Sequence, residues 1–115
     1  MAWRCAAAYE WGQHVAIARQ AGLTDAEILA VADRPDDDAF TWSSEEATLL
    51  AAVDQLQTDH VIDDARWAEL CAVCTDEQLI ELTLLAGHYA MLAGALNSFG
   101  VELDGDQPGL GQVAS

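Results

Sequence analysis

The chain has 115 residues, of which 52% are hydrophobic, and its formal charge of −16 comes from twenty acidic residues against four basic ones. This length allows one domain with one core, and the hydrophobic content argues against disorder of the whole chain. The basic residues are four arginines at positions 4, 19, 34 and 66, and there is no lysine. Since no cationic face can form, we expect neither a nucleic-acid nor a membrane partner.

The first residues of the chain and its cysteines predict the cellular localisation. The first residues, Met-Ala-Trp-Arg-Cys, lack the regions of a secretory signal, and no run of eighteen apolar residues is present. Three cysteines are too few for a disulfide scaffold. We therefore expect a cytoplasmic protein with free thiols, in which the acidic surplus serves solubility or reflects a high-salt or GC-rich bacterial background.

The pattern predicts an all-α domain of about five helices and no strand, because alanine and leucine dominate and β-branched clusters are absent. The first helix is predicted over about 2–21, with Gly22 as its C-terminal cap. The second begins at a capping box that starts with Thr24 and is closed by Asp33 and Pro35, so that it forms a hairpin with the first. The acidic stretch 34–41 is predicted to be unstructured.

Two further helices follow this loop. The third is capped by Ser43 or Ser44 and stops near Asp59, and the fourth runs over about 64–74 behind the cap Asp63. The residues predicted to face inward are Leu49, Leu50, Val53 and Leu56 on the third helix, and Trp67, Leu70 and Cys71 on the fourth.

The fifth helix is the most apolar. It opens with a capping box at Thr75 and is predicted to reach about Ser98, before Gly100. Apolar residues cover most of its circumference, which is typical of a central helix or of one shared between the core and a subunit interface. We assign residues 1–103 to a single helical domain and 104–115 to a flexible acidic, glycine-containing tail.

Two polar residues interrupt an apolar stripe of the first helix. Glu10 and His14 are one turn apart and share the stripe of Trp3, Ala7 and Ile17, which places a carboxylate and an imidazole in the core. Desolvation and mutual attraction shift the pKa values of such groups in opposite directions, so a half-buried pair suits general acid–base chemistry. The alternative is a structural pair at the rim of the bundle.

The fifth helix carries a second polar set, Glu81 and His88 on one face, with Tyr89 beside them. Two Glu–His pairs suggest a metal, but the Glu-x-x-His spacing of di-metal bundles is absent, so no metal site is assigned. The structural alternative for His88 is a histidine at a helix crossing, satisfied by one hydrogen bond.

The three cysteines are weak candidates for catalytic thiols. Cys71 and Cys74 form a Cys-x-x-Cys at the end of the fourth helix, where the helix dipole disfavours a thiolate, and we interpret them as small core residues. Cys5 has no His or Asn at a family-specific distance. Trp11, adjacent to Glu10, is the best candidate for a pocket wall.

The segment Tyr-Glu-Trp-Gly-Gln-His-Val-Ala at 9–16, followed by Ala18, Gly-Leu-Thr at 22–24 and Glu27, resembles the signature of the carboxymuconolactone decarboxylase family. Similar matches continue through Leu-Leu-Ala-Ala at 49–52 and Ile-Asp-Asp-Ala-Arg-Trp at 62–67 to Gly-His-Tyr at 87–89 and the stretch 96–101. The resemblance covers nearly the whole chain. It implies an all-helical fold of the alkylhydroperoxidase D-like type that assembles as a homotrimer or homohexamer.

The resemblance also separates two chemistries. The peroxidase branch carries Cys-x-x-Cys-x-x-x-His, and its cysteine positions correspond here to Ala7 and Glu10, so that activity is not implied. The decarboxylase branch has Glu-x-x-x-His, matched by Glu10 and His14, and needs no cofactor. Family members usually carry helical sequence before this motif, including an acidic site residue, so we expect another subunit to complete the site or the form to be a shortened one.

The resulting hypothesis is a cofactor-independent lyase or isomerase that acts on a small carboxylated lactone or enolisable acid. Its catalytic residues are predicted as Glu10, the proton acceptor or donor, His14, its partner and oxyanion stabiliser, and His88, a third group. The predicted substrate-binding residues are Trp11, Tyr89 and Glu81. The alternatives are a non-catalytic oligomeric member that binds a small molecule, and a thiol peroxidase that uses Cys71 and Cys74.

Overall fold

Five α-helices account for the secondary structure of the computed structural model, which describes residues 1–32 and 41–114. In chain order they are α1 (Ala8–Gln20), α2 (Asp25–Ala32), α3 (Ser44–Asp59), α4 (Asp64–Val73) and α5 (Asp76–Phe99). The described residues contain no strand, so the all-α prediction is confirmed. The predicted loop at 34–41 and the closure of α2 by Asp33 and Pro35 lie, except for Thr41, outside the described residues.

The predicted capping residues begin four of the helices. Ser43 Oγ accepts a hydrogen bond from the Glu46 N–H at 3.2 Å, and the Glu46 carboxylate accepts from the Ser43 N–H at 3.0 Å. Asp63 caps α4 by accepting from the Arg66 N–H at 2.7 Å. The reciprocal pattern of α3 recurs at the start of α2, between Thr24 and Glu27, and of α5, between Thr75 and Gln78. Local hydrogen bonding therefore sets these helix starts, as predicted.

The start of α1 differs from the prediction. The helix begins at Ala8 rather than Ala2, because residues 2–6 form a turn in which Ala6 has a φ of +51°. The Ala7 N–H donates to the Ala2 carbonyl at 3.0 Å, and no side chain caps the helix at Ala7. This turn brings Ala2 and Trp3 against the core around α1, so tertiary packing overrides the helix propensity of the alanine-rich start.

The chain groups into two compact units. Unit 1 comprises Met1 and Trp42–Met91, and unit 2 comprises Ala2–Thr41 and Leu92–Ser115. Each has its own core among the described residues. The buried residues are Ala52, Ile62, Leu70 and Leu79 in unit 1, and Ala2, Trp11, Val15, Ile28 and Ala32 in unit 2.

Residues 104–114, here called the C-terminal segment, pack against unit 2. Pro108 is buried, and Leu110 and Val113 contact the unit 2 core. A Cβ atom on Gly12 of α1 would lie 3.1 Å from the Pro108 carbonyl oxygen, so the segment crosses the helix closely there. The region predicted as a flexible tail thus contributes apolar residues to the core of unit 2. The prediction missed them because the composition of the segment is dominated by Asp and Gly.

Three residues predicted to face inward are exposed instead. Ile17 on α1 and Trp67 and Cys71 on α4 lie at the surface, and of the inward set on α4 only Leu70 is buried. Helix α4 is short and contacts α3 along a narrow face centred on Leu70, so its flanking apolar residues find no cover within the described chain.

Helix α5 is mostly exposed. Leu79, Ala86 and Ala93 form its buried face, at seven-residue spacing, whereas Ile80, Leu84, Leu85 and Met91 are each more than half exposed. Among the described residues α5 alone is long and apolar enough to cross a membrane, with a mean hydropathy of 1.5. Length and composition are weak evidence for a membrane span, because core helices of soluble proteins meet the same criteria.

Candidate functional site

A small pocket lies between α1 and α2 in unit 2. Its cavity volume is about 110 Å³. The lining consists of apolar side chains and one histidine: Trp11, His14, Val15, Ala18, Leu23, Ile28 and Val31. His14 is the only titratable group among them, so the pocket is an apolar cavity with a single polar group in its wall.

The α1 wall follows from helical spacing. Trp11, Val15 and Ala18 repeat every three to four residues and belong to an apolar stripe recognisable in the sequence, and His14 borders that stripe. Because α1 presents this stripe to α2, the indole and the imidazole share one cavity.

The α2 wall depends on a tight reversal after α1. Gly22 has a φ of +98° and donates to the Arg19 carbonyl, and Leu23 donates to the Ala18 carbonyl, each at 3.0 Å. This Schellman-like end turns the chain back so that Ile28 packs on α1. The apolar face of α2 is recognisable in the sequence, but it is not predicted there to belong to a site. The signal that could have revealed this is the pairing of that face with the α1 stripe across the turn at Gly22.

His14 is half-buried and its ring is oriented by its own helix. Nδ1 lies 2.8 Å from the main-chain carbonyl oxygen of Glu10, one turn earlier. A carbonyl oxygen only accepts, so Nδ1 carries the proton of this hydrogen bond. In the neutral imidazole, Nε2 is then a hydrogen-bond acceptor.

Glu10 is buried, with 4% of its surface exposed, as the sequence pattern predicts. A carboxylate taken out of water is destabilised unless nearby groups balance its charge. The hydrogen bond that joins Glu10 to His14 at 2.8 Å runs through the main-chain carbonyl of Glu10. The two residues therefore lie on adjacent turns of α1, with His14 in the pocket wall and Glu10 in the protein interior.

Trp11 links the pocket to the C-terminal segment. Its indole Nε1 donates to the Gln112 carbonyl at 2.8 Å, and its ring meets the Trp3 ring edge-on with 6.1 Å between centroids. Because its polar atom is satisfied by the segment, Trp11 presents apolar surface to the pocket, as expected for a wall residue.

Several residues of the family-like signature bind the C-terminal segment. Tyr9 donates to Asp104 Oδ2 at 2.9 Å, and Gln13 donates to the same oxygen at 3.0 Å. The hydrogen bond to Asp104 raises the pKa of the Tyr9 hydroxyl above its ordinary value. With Gly12 at the crossing and Trp11 bonded to Gln112, four of the six residues from Tyr9 to His14 contact the segment.

The other predicted site residues belong to unit 1. Glu81 and His88 are exposed on α5, and Tyr89 is half-buried. The His88 and Tyr89 rings meet edge-on with 5.3 Å between centroids. Since His88 is exposed, it does not occupy the buried helix crossing expected under the structural alternative.

The cysteines are free thiols. Helix α4 ends at Val73, so Cys71 and Cys74 occupy its C-terminal end, as predicted. Cys74 packs on the unit 1 core, but Cys71 is exposed, so the interpretation of both as core residues is wrong for Cys71. Burial raises the pKa of the Cys5 thiol and the charge of Glu10 raises it further, which disfavours a nucleophilic role.

The described residues hold no cluster of three or more His, Cys, Asp or Glu side chains that could bind a metal ion. Comparison with protein-family models, with curated proteins and with solved structures gives no match to the chain. The family resemblance therefore stays a prediction.

Proposed function

We propose that the chain is a cofactor-independent lyase or isomerase for a small enolisable lactone or acid, with the pocket of unit 2 as its active site. The observation that carries this proposal is the position of His14, the one titratable group in the wall of an otherwise apolar pocket. A histidine suits proton exchange near neutral pH, and apolar walls exclude water that would quench an enolate.

The pocket supports roles for Glu10 and His14 that differ from those expected from the sequence. His14 Nε2 accepts the proton from the carbon next to the substrate carbonyl, which leaves an enolate and an imidazolium. Return of the proton to another carbon completes an isomerisation. In a decarboxylation, the carboxylic acid of the substrate first gives its proton to Nε2. The bond between the carboxylate and the adjacent carbon then breaks, CO2 leaves, and the electron pair left as an enolate takes that proton back from the imidazolium. Glu10, buried one turn away, acts as a positioning residue whose main-chain carbonyl accepts the hydrogen bond that orients the His14 ring.

A reactive probe of the right size tests this proposal without knowledge of the substrate. α-Angelica lactone, a five-membered enol lactone, exchanges its ring protons in D2O and isomerises through a dienolate. We expect the protein to accelerate both processes and His14→Gln to lower the rate by about 100-fold or more, the usual worth of a general base.

The matched control is His60→Asn. His60 ends α3 with a φ of +59°, lies outside the pocket, and can be replaced by Asn, which tolerates that conformation. The proposal fails if the protein does not exceed the buffer rate, or if His14→Gln and His60→Asn have equal rates.

A second candidate is binding of a small molecule without turnover. It is supported by the lining, in which six of the seven residues are apolar. Saturable binding of a ring-sized ligand, combined with a buffer-level rate in the lactone assay, would favour this candidate.

We also propose self-association through the exposed face of α5. Ile80, Leu84 and Met91 recur along one side of the helix and are 58%, 68% and 64% exposed. The stretch 82–99 contains no Asp, Glu, Lys or Arg, in a chain of formal charge −16. Two copies can meet along this stretch without opposing like charges, which supports the homotrimer or homohexamer expected from the family resemblance.

A further inference from the structure

The C-terminal segment is anchored to α1 at its start. Tyr9 and Gln13 donate to one oxygen, Asp104 Oδ2, at 2.9 and 3.0 Å. Gln13 also donates to the Tyr9 hydroxyl at 3.1 Å, so the three side chains form a closed set. Further along the segment, Pro108 is buried where the chain crosses Gly12. Side-chain hydrogen bonds and close packing therefore hold this half of the segment on the helix.

Two consecutive carbonyl groups fasten the other end of the segment. The Gln112 carbonyl accepts from Trp11 Nε1 at 2.8 Å, and the Val113 carbonyl accepts from Arg19 Nη2 at 2.7 Å. The Arg19 guanidinium also binds the carboxylate of Asp25, in the first turn of α2, at 2.8 and 3.2 Å. The segment is thereby connected to both helices that form the walls of the pocket.

The segment and the pocket share one set of side chains. Leu110 and Val113 pack against the unit 2 core, which includes Trp11, Val15 and Ile28. The same three core residues line the pocket, whereas none of the lining residues belongs to the segment. The segment therefore supports the wall of the pocket without entering it.

Release of the segment would change the environment of Trp11. The side chain is buried, with 5% exposed, and its Nε1 atom has the Gln112 carbonyl as acceptor. A buried N–H without an acceptor is destabilising, so the indole would have to turn to reach water. Because the indole is part of the pocket wall, this movement would change the shape of the pocket. A ligand that fits the native pocket would then bind the released state less tightly.

We infer that the C-terminal segment is a positioning element of the pocket: docking of the segment on α1 shapes the wall that contacts the ligand, and occupation of the pocket in turn stabilises the docked segment. The effect is reciprocal because a ligand that binds the docked state more tightly shifts the equilibrium towards that state. The inference rests on the proposed function only in placing the site in this pocket, and it requires no particular charge or proton on the ligand.

Exchange of the Trp11 indole proton with solvent measures docking directly. The Gln112 carbonyl holds this proton, so it exchanges from molecules in which the segment is released. NMR of the full chain gives the exchange rate, with the signal assigned from a Trp11→Phe spectrum. The amide proton of Val15, inside α1, reports opening of the helix itself.

The probe ligand is benzene, an uncharged ring of the kind that small apolar cavities accept. We expect saturating benzene to slow exchange of the Trp11 indole proton by about fivefold or more, a typical size for the coupling between two sites. The Val15 amide should be slowed by a smaller factor.

Three variants of two aspartates separate the anchor from its charge. Asp104→Ala removes the acceptor shared by Tyr9 and Gln13 and should speed indole exchange by about fivefold. Asp104→Asn keeps an acceptor oxygen without the charge and should stay within about twofold of the native rate. Asp106→Ala removes the same charge from an exposed residue of the segment and should also stay within about twofold.

The affinity for benzene, measured through the methyl signals of Ile28, is the reciprocal readout. Leu110→Asp places a carboxylate against the unit 2 core and should release the segment, so that benzene binds about fivefold or more weakly. Leu103→Asp makes the same change at a residue that is 37% exposed and should leave the affinity within about twofold. Far-UV circular dichroism establishes that each variant is folded. Should Leu110→Asp unfold, Gly111→Ala replaces it, because a Cβ atom there would lie 3.0 Å from the Trp3 ring.

The inference is overturned if benzene does not bind the native chain, if benzene leaves indole exchange unchanged, or if a variant that releases the segment keeps the native affinity. Equal slowing of the Trp11 and Val15 protons would also overturn it, as would equal exchange rates in Asp104→Ala and Asp106→Ala.

These outcomes are separate from catalysis. Slower indole exchange with benzene, combined with no lactone turnover, would contradict the enzyme proposal alone. Lactone turnover, combined with indole exchange that does not respond to benzene, would contradict this inference alone.

Discussion

The indole nitrogen of Trp11 donates to the carbonyl oxygen of Gln112 at 2.8 Å, across 101 residues of sequence. The ring of the same residue lines the pocket between α1 and α2. Trp11 thus joins the two roles of α1, which binds the C-terminal segment and also supplies one wall of the candidate site. A substitution that weakens the packing of the C-terminal segment should therefore also alter the pocket.

The crossing at Gly12 predicts an asymmetry between two glycines. An added Cβ at Gly12 would lie 3.1 Å from the Pro108 oxygen and 3.2 Å from Gln107 Cβ, whereas at Gly94 it would meet nothing within 4 Å. Alanine in a free helical position stabilises by about 1 kcal/mol relative to glycine. In urea unfolding, Gly94→Ala should raise the free energy of unfolding by about 0.5–1 kcal/mol, and Gly12→Ala should lower it or leave it unchanged. Equal stabilisation by both substitutions would contradict the close crossing.

The thiols should differ in their rates of alkylation. Burial and the charge of Glu10 raise the pKa of Cys5, so at about pH 8 its thiolate fraction is smaller than that of an ordinary thiol. Peptide mass spectrometry after iodoacetamide treatment should show Cys5 reacting more slowly than the exposed Cys71. Glu10→Gln should speed the reaction of Cys5 and leave that of Cys71 unchanged. If Cys5 reacts at the same rate in both proteins, the charge of Glu10 does not act on the thiol.

The α4 cap predicts a dependence of stability on pH. The Arg66 N–H holds the pKa of Asp63 below its ordinary value. A lowered pKa contributes stability above the unfolded-state pKa of about 4, and this contribution is lost as the pH falls through the folded-state value. Asp63→Asn retains a capping acceptor but not the titration. The stability advantage of the native chain over Asp63→Asn should thus be present at neutral pH and shrink below about pH 4.

A difference between the native chain and Asp63→Asn that stays constant from neutral pH to pH 3 would contradict this account. Taking the difference removes the effects of the many other carboxylates, which both proteins share.

Self-association through α5 is tested by placing a charge on its exposed face. Leu84→Glu puts a carboxylate at a residue that is 68% exposed, and Val61→Glu makes the same change at a residue that is 59% exposed outside α5. Sedimentation should show an oligomer for the native chain and for Val61→Glu, and a smaller species for Leu84→Glu. Association should strengthen with salt, because screening weakens the repulsion between copies of charge −16. A native chain that is monomeric at every salt concentration would contradict the proposal.

Local signals in the sequence predict most of the helices. The starts of α2, α3, α4 and α5 depend on capping side chains within three residues, and the end of α1 depends on Gly22. Such signals are short-range and can be recognised without knowledge of the fold. The burial of Glu10 is likewise predicted from helical spacing, because its neighbours at that spacing are apolar.

Long-range packing accounts for what the sequence did not predict. Residues 2–6 have high helix propensity, but packing of Ala2 and Trp3 against α1 favours a turn with Ala6 in the left-handed region. The composition of the C-terminal segment resembles a loop, and only Pro108, Leu110 and Val113, together with the glycine inside α1, signal its docking. Of the candidate site, Trp11 and His14 are named from the sequence and line one pocket, whereas the wall from α2 becomes recognisable only once α2 is paired with α1.

The central claim is that His14, in the wall of the apolar pocket of unit 2, exchanges a proton with a small enolisable substrate, and the isomerisation rate of α-angelica lactone measures this most directly. The native chain and His60→Asn should both exceed the buffer rate, and His14→Gln should lower the rate by about 100-fold or more. A native chain that stays at the buffer rate, or equal rates for His14→Gln and His60→Asn, would contradict the account.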